Sequence, residues 1–142
     1  MKSAQQLVEE ADAEVRTLAP EEARAAAERG EAVLVDIRDI RELAREGRVP
    51  GAVHAPRGML EFWFDPSSEY HKPVFDQPER LFVLFCAAAG RSALAAKTLQ
   101  DMGLENVAHM GGGFGRWRKD GLPVERDAPG DASSNANQNP KA

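Results

Sequence analysis

Residues 82–92 read FVLFCAAAGRS, and this stretch sets the architecture. Its first half, extended back to Leu81, is a short apolar run of the kind that forms a strand buried on both faces. The second half opens on Cys86, the one cysteine of the chain, and passes through four small residues to Arg91 and Ser92. Residues 91–103, RSALAAKTLQDMG, continue as a helix with Ala95, Leu99 and Met102 on one stripe and Gly103 as its stop. A thiol is therefore expected at the carboxyl end of a central strand, just ahead of a helix.

The flanking segments repeat that alternation. AVLVDI at 32–37 is a second fully apolar strand, IRELAREG at 40–47 a short helix closed by glycine, and residues 53–55 a brief strand after the RVPG turn. Downstream, NVAHM at 106–110 reads as a strand, GGGFGRW turns into a last short helix, and DGLPVE closes the core. Upstream, APEEARAAAERG has Pro20 at the first helical position, Glu21 and Glu22 in the first turn and Gly30 at the end. Residues 4–16 form a polar amphipathic helix with Leu7, Val8, Ala11 and Val15 on one face. Strands alternating with helices predict an α/β fold of three layers, a central mostly parallel sheet with helices on both faces. The expected organisation is an N-terminal helix over 1–17 and one domain over 18–126. Residues 127–142, DAPGDASSNANQNPKA, carry no large apolar group and are expected to form a disordered tail.

Composition narrows the partners. The chain has 142 residues, 42% hydrophobic and 29% charged, which suits one domain with an ordinary core. A net charge of −5 argues against nucleic acid or an anionic membrane as the partner. No apolar run approaches membrane-spanning length, and the N-terminus lacks the apolar core of a secretory signal. A single cysteine fits a reducing compartment, so a cytoplasmic protein with a free thiol is expected.

In parallel sheets, ligands bind beyond the carboxyl ends of strands, often at a helix N-terminus. There the backbone amides of residues 87–92 can curl into an anion-binding nest that favours the thiolate, the nucleophilic form of Cys86. Ala87, Ala88, Ala89 and Gly90 keep the loop free of bulk. Arg91 adds a permanent cation matched to an oxyanion, and Ser92 a hydrogen-bond donor. Two chemistries use such a site: phosphoryl transfer, and sulfur transfer through a cysteine persulfide. A phosphate is wider than one sulfur atom and needs a roomier loop, so loop size separates them.

Four segments together resemble the rhodanese family of sulfurtransferases, specifically its single-domain bacterial members, from about Ala32 to Glu125. LVDIRDIREL resembles the first strand with its Asp-x-Arg corner. GRVPGAVHAP looks like the Gly-His-Ile-Pro-Gly-Ala segment, with Arg48 where histidine is usual. CAAAGRS is similar to the active loop, Cys-x-x-x-x-Arg-Ser/Thr. MGGGFGRWRKDGLPVE is similar to the closing segment, with Gly112, Gly113 and Trp117 on the pattern. Phosphatases of the same fold, and arsenate reductases resembling them, carry five residues between cysteine and arginine; four here favour sulfur.

The resemblance implies a rhodanese-like fold and a double displacement with Cys86 as nucleophile and Arg91 as oxyanion or loop-bracing group. Ala87, Ala88, Ala89, Gly90, Ser92, Asp36 and Arg57 are the expected substrate-binding residues, with Asp36 orienting the loop or Arg38. No cofactor and no metal are implied. Expected partners are small sulfur donors and thiol acceptors, with a thioredoxin-like or sulfur-relay protein as an alternative. Thiosulfate is the expected donor and cyanide an assay acceptor; a persulfide carrier serving a partner protein is the alternative, and a phosphatase or arsenate reductase a further one. Ala89 stands where the family often has glycine. A left-handed residue there would cost alanine about 1–3 kcal/mol unless Gly90 takes that role.

Other residues have plain readings. His54, His71 and His109 lack the mutual spacing of a metal site and read as core or surface histidines. Arg38 reads as half of a structural ion pair. The glycines at 111–113 are expected to allow close backbone approach beneath the active loop. Residues 57–80, with Phe62, Trp63, Phe64, Tyr70 and Phe75, either wall the pocket mouth or extend the core.

Overall fold

A computed structural model describes residues 1–126, so the tail expected over 127–142 lies outside the described residues. The elements run α1 (Ala4–Glu14), β1 (Arg16–Leu18), α2 (Pro20–Glu28), β2 (Ala32–Asp36), α3 (Ile40–Glu46), β3 (Val53–His54), α4 (Leu60–Phe64), β4 (Leu81–Phe85), α5 (Gly90–Asp101), β5 (Val107–Met110) and α6 (Gly113–Lys119). The five strands form one sheet in the order β1-β5-β4-β2-β3, and every pairing is parallel.

The alternation of side chains along β4 explains the layers. Phe82 and Leu84 join a core with Val33, Val35, Ala95 and Leu99, under α1, α4 and α5. Val83 and Phe85 point the other way, to Ala23, Ala26, Phe114 and Trp117 of α2 and α6. Both faces of β2 and β4 are covered, which is why their sequences run apolar, up to Asp36 at the end of β2, rather than alternating. The α/β fold with a parallel sheet and helices on both faces is thus as the sequence predicts.

Three details differ. Arg16–Leu18 is an edge strand that pairs with Ala108–Met110, so the division expected at 17/18 falls inside β1. Within α1, Ala11 is buried while Leu7 remains exposed. In α5, Ala95, Ala96 and Leu99 face the core while Met102, at the C-cap, is exposed.

The long segment between β3 and β4 is part of the core. Phe64 stacks on Phe75 at 4.1 Å and meets the edge of Phe82 at 5.3 Å, and Leu60 is fully buried beside them. Burying such rings contributes several kcal/mol, about 3–5 for each phenylalanine truncated to alanine. Phe62 and Tyr70 stay exposed, edge to face at 6.2 Å.

Candidate active site

Cys86 follows β4 directly and is buried, its side chain continuing the face of Phe82 and Leu84 toward α5. The chain then bends through Ala87–Ala89 into α5, whose N-cap is Ala89. Ala93 N donates to Ala89 O at 3.0 Å, so the amides of residues 90–92 precede the first helical acceptor and remain at the open end of the helix. This is the amide-lined helix N-terminus that favours an anion near Cys86.

The conformation of the loop removes the concern over Ala89. Its φ of −154° is extended backbone that alanine adopts freely, and among the described residues no non-glycine residue has a positive φ. Gly90 does not supply a left-handed turn either; it is the first residue of α5. The glycine that the loop does need lies elsewhere. Gly113 has φ +57°, and a Cβ there would collide with the carbonyl oxygens of Cys86 and Ala88. With no side chain at 113, Phe114 N reaches Cys86 O at 2.8 Å and Gly115 N reaches Ala87 O at 2.9 Å. The close approach expected of residues 111–113 is therefore present, centred on Gly113.

Arg91 extends to α3. Its Nη1 and Nη2 donate to the two oxygens of Glu42 at 2.9 and 3.1 Å, a bidentate fork. Glu42 in turn accepts from Asp39 N, closing the capping box of α3. The Arg91 hydrogen bonds hold the Glu42 carboxyl below the usual carboxylate range against the opposing effect of burial. Glu42 and, to a smaller extent, Cys86 likewise strengthen the charged form of Arg91. Glu42 carried no signal in the sequence beyond its place in a helix start; its partner is 49 residues away.

The structure separates the other expected residues. Asp36 ends β2 beside the site, but its carboxylate is engaged by Arg38, with Nε at 3.0 Å and Nη2 at 2.7 Å. Both side chains are buried. Arg38 also donates to Gly47 O and lies 4.0 Å over the Phe114 ring. Asp36 thus orients Arg38, and the pair ties β2, α3 and α6 together. Arg57 pairs with Glu61 at 2.8 Å. His54 Nε2 donates to Arg38 O at 2.7 Å, and His71 bridges Trp63 O and Asp76.

Ser92, expected in the active loop, meets His109, which the sequence reading left plain. The Cys86 thiol lies 3.7 Å from Ser92 Oγ, and Ser92 Oγ lies 2.9 Å from His109 Nδ1. His109 stands in register with Leu84, on the face of β5 that α5 and α1 cover.

The site thus brings together a buried cysteine at a strand end, a loop of small residues and an arginine at the head of the next helix. The chain belongs to the rhodanese-like domain family, whose model matches residues 19–120. It is 31% identical over 105 residues to the thiosulfate sulfurtransferase GlpE of Pseudomonas savastanoi pv. phaseolicola, covering 74% of this chain and 89% of that protein. Among solved structures, it is similar to a Rhodopseudomonas palustris protein of unknown function, called a possible tyrosine phosphatase. That match has 49% identity and a TM-score of 0.83, covering 88% of this chain and 96% of the other. It is also similar to the polysulfide-sulfur transferase homodimer of Wolinella succinogenes, with 30% identity and a TM-score of 0.66, covering 87% and 88%. The chain spans 55% of the length of another relative, from Synechocystis. No helix among the described residues is long and apolar enough to cross a membrane.

Proposed function

We propose that this protein is a sulfurtransferase that takes sulfane sulfur onto Cys86 as a persulfide and passes it to a thiophilic acceptor. The observation that carries the reading is the short span of four residues between Cys86 and Arg91, closed from below by the Gly113 backbone. That span makes a cradle for one sulfur atom rather than for a tetrahedral anion.

With thiosulfate as donor, the Cys86 thiolate attacks the outer sulfur. A Cys86 S–S bond forms, the donor S–S bond breaks, and sulfite leaves with its electron pair. Cyanide or a thiolate then attacks the terminal sulfur of the persulfide and regenerates the Cys86 thiolate. The open amides at the start of α5 stabilise the terminal persulfide anion, a preorganised role of the oxyanion-hole type. Arg91, held by Glu42, keeps the loop in place and presents its remaining donors to the leaving oxyanion. Small sulfur donors and thiols are the partners of this cycle; a thioredoxin-like or sulfur-relay protein would take the acceptor's place if the persulfide is handed on to a protein. The chemistry fits a cytoplasmic setting, where thiol acceptors stay reduced.

The Rhodopseudomonas relative brings a second reading, a phosphatase using Cys86 on a phosphate ester. Parallel turnover assays decide between them. Thiocyanate production from thiosulfate and cyanide, lost in Cys86→Ser, supports sulfur transfer. Hydrolysis of an aryl phosphate lost in the same variant, with no thiocyanate from wild type, would favour the phosphatase.

A further inference from the structure

A polar path runs from the site thiol through the interior to the surface. From Cys86 Sγ it passes to Ser92 Oγ at 3.7 Å, then to His109 Nδ1 at 2.9 Å. On the far side of the ring, His109 Nε2 lies 3.1 Å from Asp12 Oδ1 of α1. Cys86, Ser92 and His109 are all buried, whereas the Asp12 side chain is 47% exposed. Four elements thus converge on one path: the end of β4, the first turn of α5, β5, and α1, which is distant from the others in sequence.

The arrangement at Nε2 is unusual. The nitrogen is buried and close to the Asp12 carboxylate, yet no aligned hydrogen bond joins them. A charged ring attracts the carboxylate directly, so protonation eases the burial of this nitrogen. Asp12 acts on the ring as a charge more than as a fixed acceptor.

We infer that His109 is a positioning residue that accepts the Cys86 proton through Ser92 and so prepares the thiolate for attack. This rests on Cys86 being the nucleophile of the proposed sulfur transfer. The Cys86 S–H bond breaks and its proton goes to Ser92 Oγ, while the Ser92 hydroxyl proton goes to His109 Nδ1. The electron pair stays on Sγ, nothing is oxidised, and the new imidazolium faces Asp12. Afterwards His109 Nδ1–H donates to Ser92 Oγ and Ser92 O–H donates to the thiolate, so each donor has one acceptor. The shorter contact of Ser92 to His109, 2.9 Å against 3.2 Å to Ala89 O, is the one the path requires.

The groups facing the ring are few. Asp12 comes from α1, Ser92 from α5, Cys86 from the end of β4, and Thr17 of β1 sits in register beside it. Burial lowers the His109 pKa and Asp12 partly offsets this, so the carboxylate is the group that favours the charged ring.

The test is the pH dependence of Cys86 alkylation by iodoacetamide, which needs no sulfur donor and so stands or falls apart from the sulfurtransferase reading. Ser92→Ala and His109→Asn should each slow alkylation near neutrality by about 10- to 30-fold, the change between a largely ionised thiol and one of ordinary pKa. Both should also move the acid limb of the profile to higher pH. Asp12→Asn, on the surface, should give a smaller slowing, about threefold, in the same direction. Its profile keeps the question answerable if His109→Asn fails to fold. Profiles of Ser92→Ala and Asp12→Asn that superimpose on wild type would overturn the inference. So would a slowing in Ser92→Ala alone, because the serine would then act without the histidine. If the alkylation profiles shift as expected but wild type forms no persulfide with thiosulfate or polysulfide, the path stands and the sulfurtransferase reading fails.

Discussion

Two strand-to-helix turns lie side by side at the carboxyl end of the sheet, and they put similar residues to opposite uses. β2 ends on Asp36 and leads through Arg38 into α3; β4 ends beside it, in register, and leads through Cys86 and Arg91 into α5. In the first turn the cation is inside. Arg38 is fully buried, locked to Asp36 and capped by the Phe114 ring, so the turn is a rivet between layers. In the second turn the cation is outside. Arg91 is 44% exposed, held at arm's length by Glu42, and the interior belongs to the thiol and the backbone. A buried pair leaves no room for a ligand and cannot lose a partner cheaply. A small-residue loop with an exposed, pre-positioned arginine keeps its donors for one.

The comparison is broken most severely from its own centre. Cys86→Ala should abolish sulfur uptake and thiocyanate production outright while changing stability by less than about 1.5 kcal/mol, since a small apolar group replaces the thiol. Activity assays and urea denaturation of the same variant check both halves. The mirror image is Arg38→Ala, which should cost about 3–5 kcal/mol by leaving the buried Asp36 carboxylate without its cation, held only by the backbone N–H of residue 38. A denaturation midpoint near that of wild type would show that the first turn is no rivet.

Arg91→Ala sits between these extremes. It should lower turnover on the order of 10²-fold, as for one preorganised donor, and cost less than about 1 kcal/mol in stability, because the pair with Glu42 is partly exposed. Gly113→Ala sharpens the second turn from below. Its new Cβ meets the Cys86 and Ala88 carbonyls, and its left-handed φ is strained for alanine, so about 1–3 kcal/mol of stability and much of the activity should go together.

The smallest effect is the pH response of the Glu42–Arg91 pair. Glu42 is held below its ordinary value by Arg91, so the stability it contributes is present above the unfolded carboxylate pKa and lost as pH falls through the lower, folded one. Glu42→Gln should flatten that acid limb, measured as urea midpoints across the acid range, by at most about 1 kcal/mol.

The sequence made one of these turns far more legible than the other. The apolar runs at 32–37 and 81–85 announce central strands because both faces are buried, and the small residues after Cys86 announce an open loop. β1 was hidden because its three residues include only one buried side chain, Leu18, and it adds to the sheet edge through backbone pairing. The Glu42–Arg91 fork and the Ser92–His109 contact were hidden for a different reason. Each joins residues that only the packing of helices on strands brings together, and a lone histidine in a strand looks like any core histidine. Residues 57–80 left two readings open, and the cluster with Phe82 places Phe64 and Phe75 in the core while Phe62 and Tyr70 stay exposed.

The central claim is that the second turn exists to hold one sulfur atom on Cys86. Intact-protein mass spectrometry after exposure to thiosulfate or polysulfide tests it directly. Wild type should gain the mass of one sulfur, lose it on adding cyanide, and Cys86→Ser should gain nothing. No mass gain with either donor, alongside Cys86-dependent hydrolysis of an aryl phosphate, would contradict it.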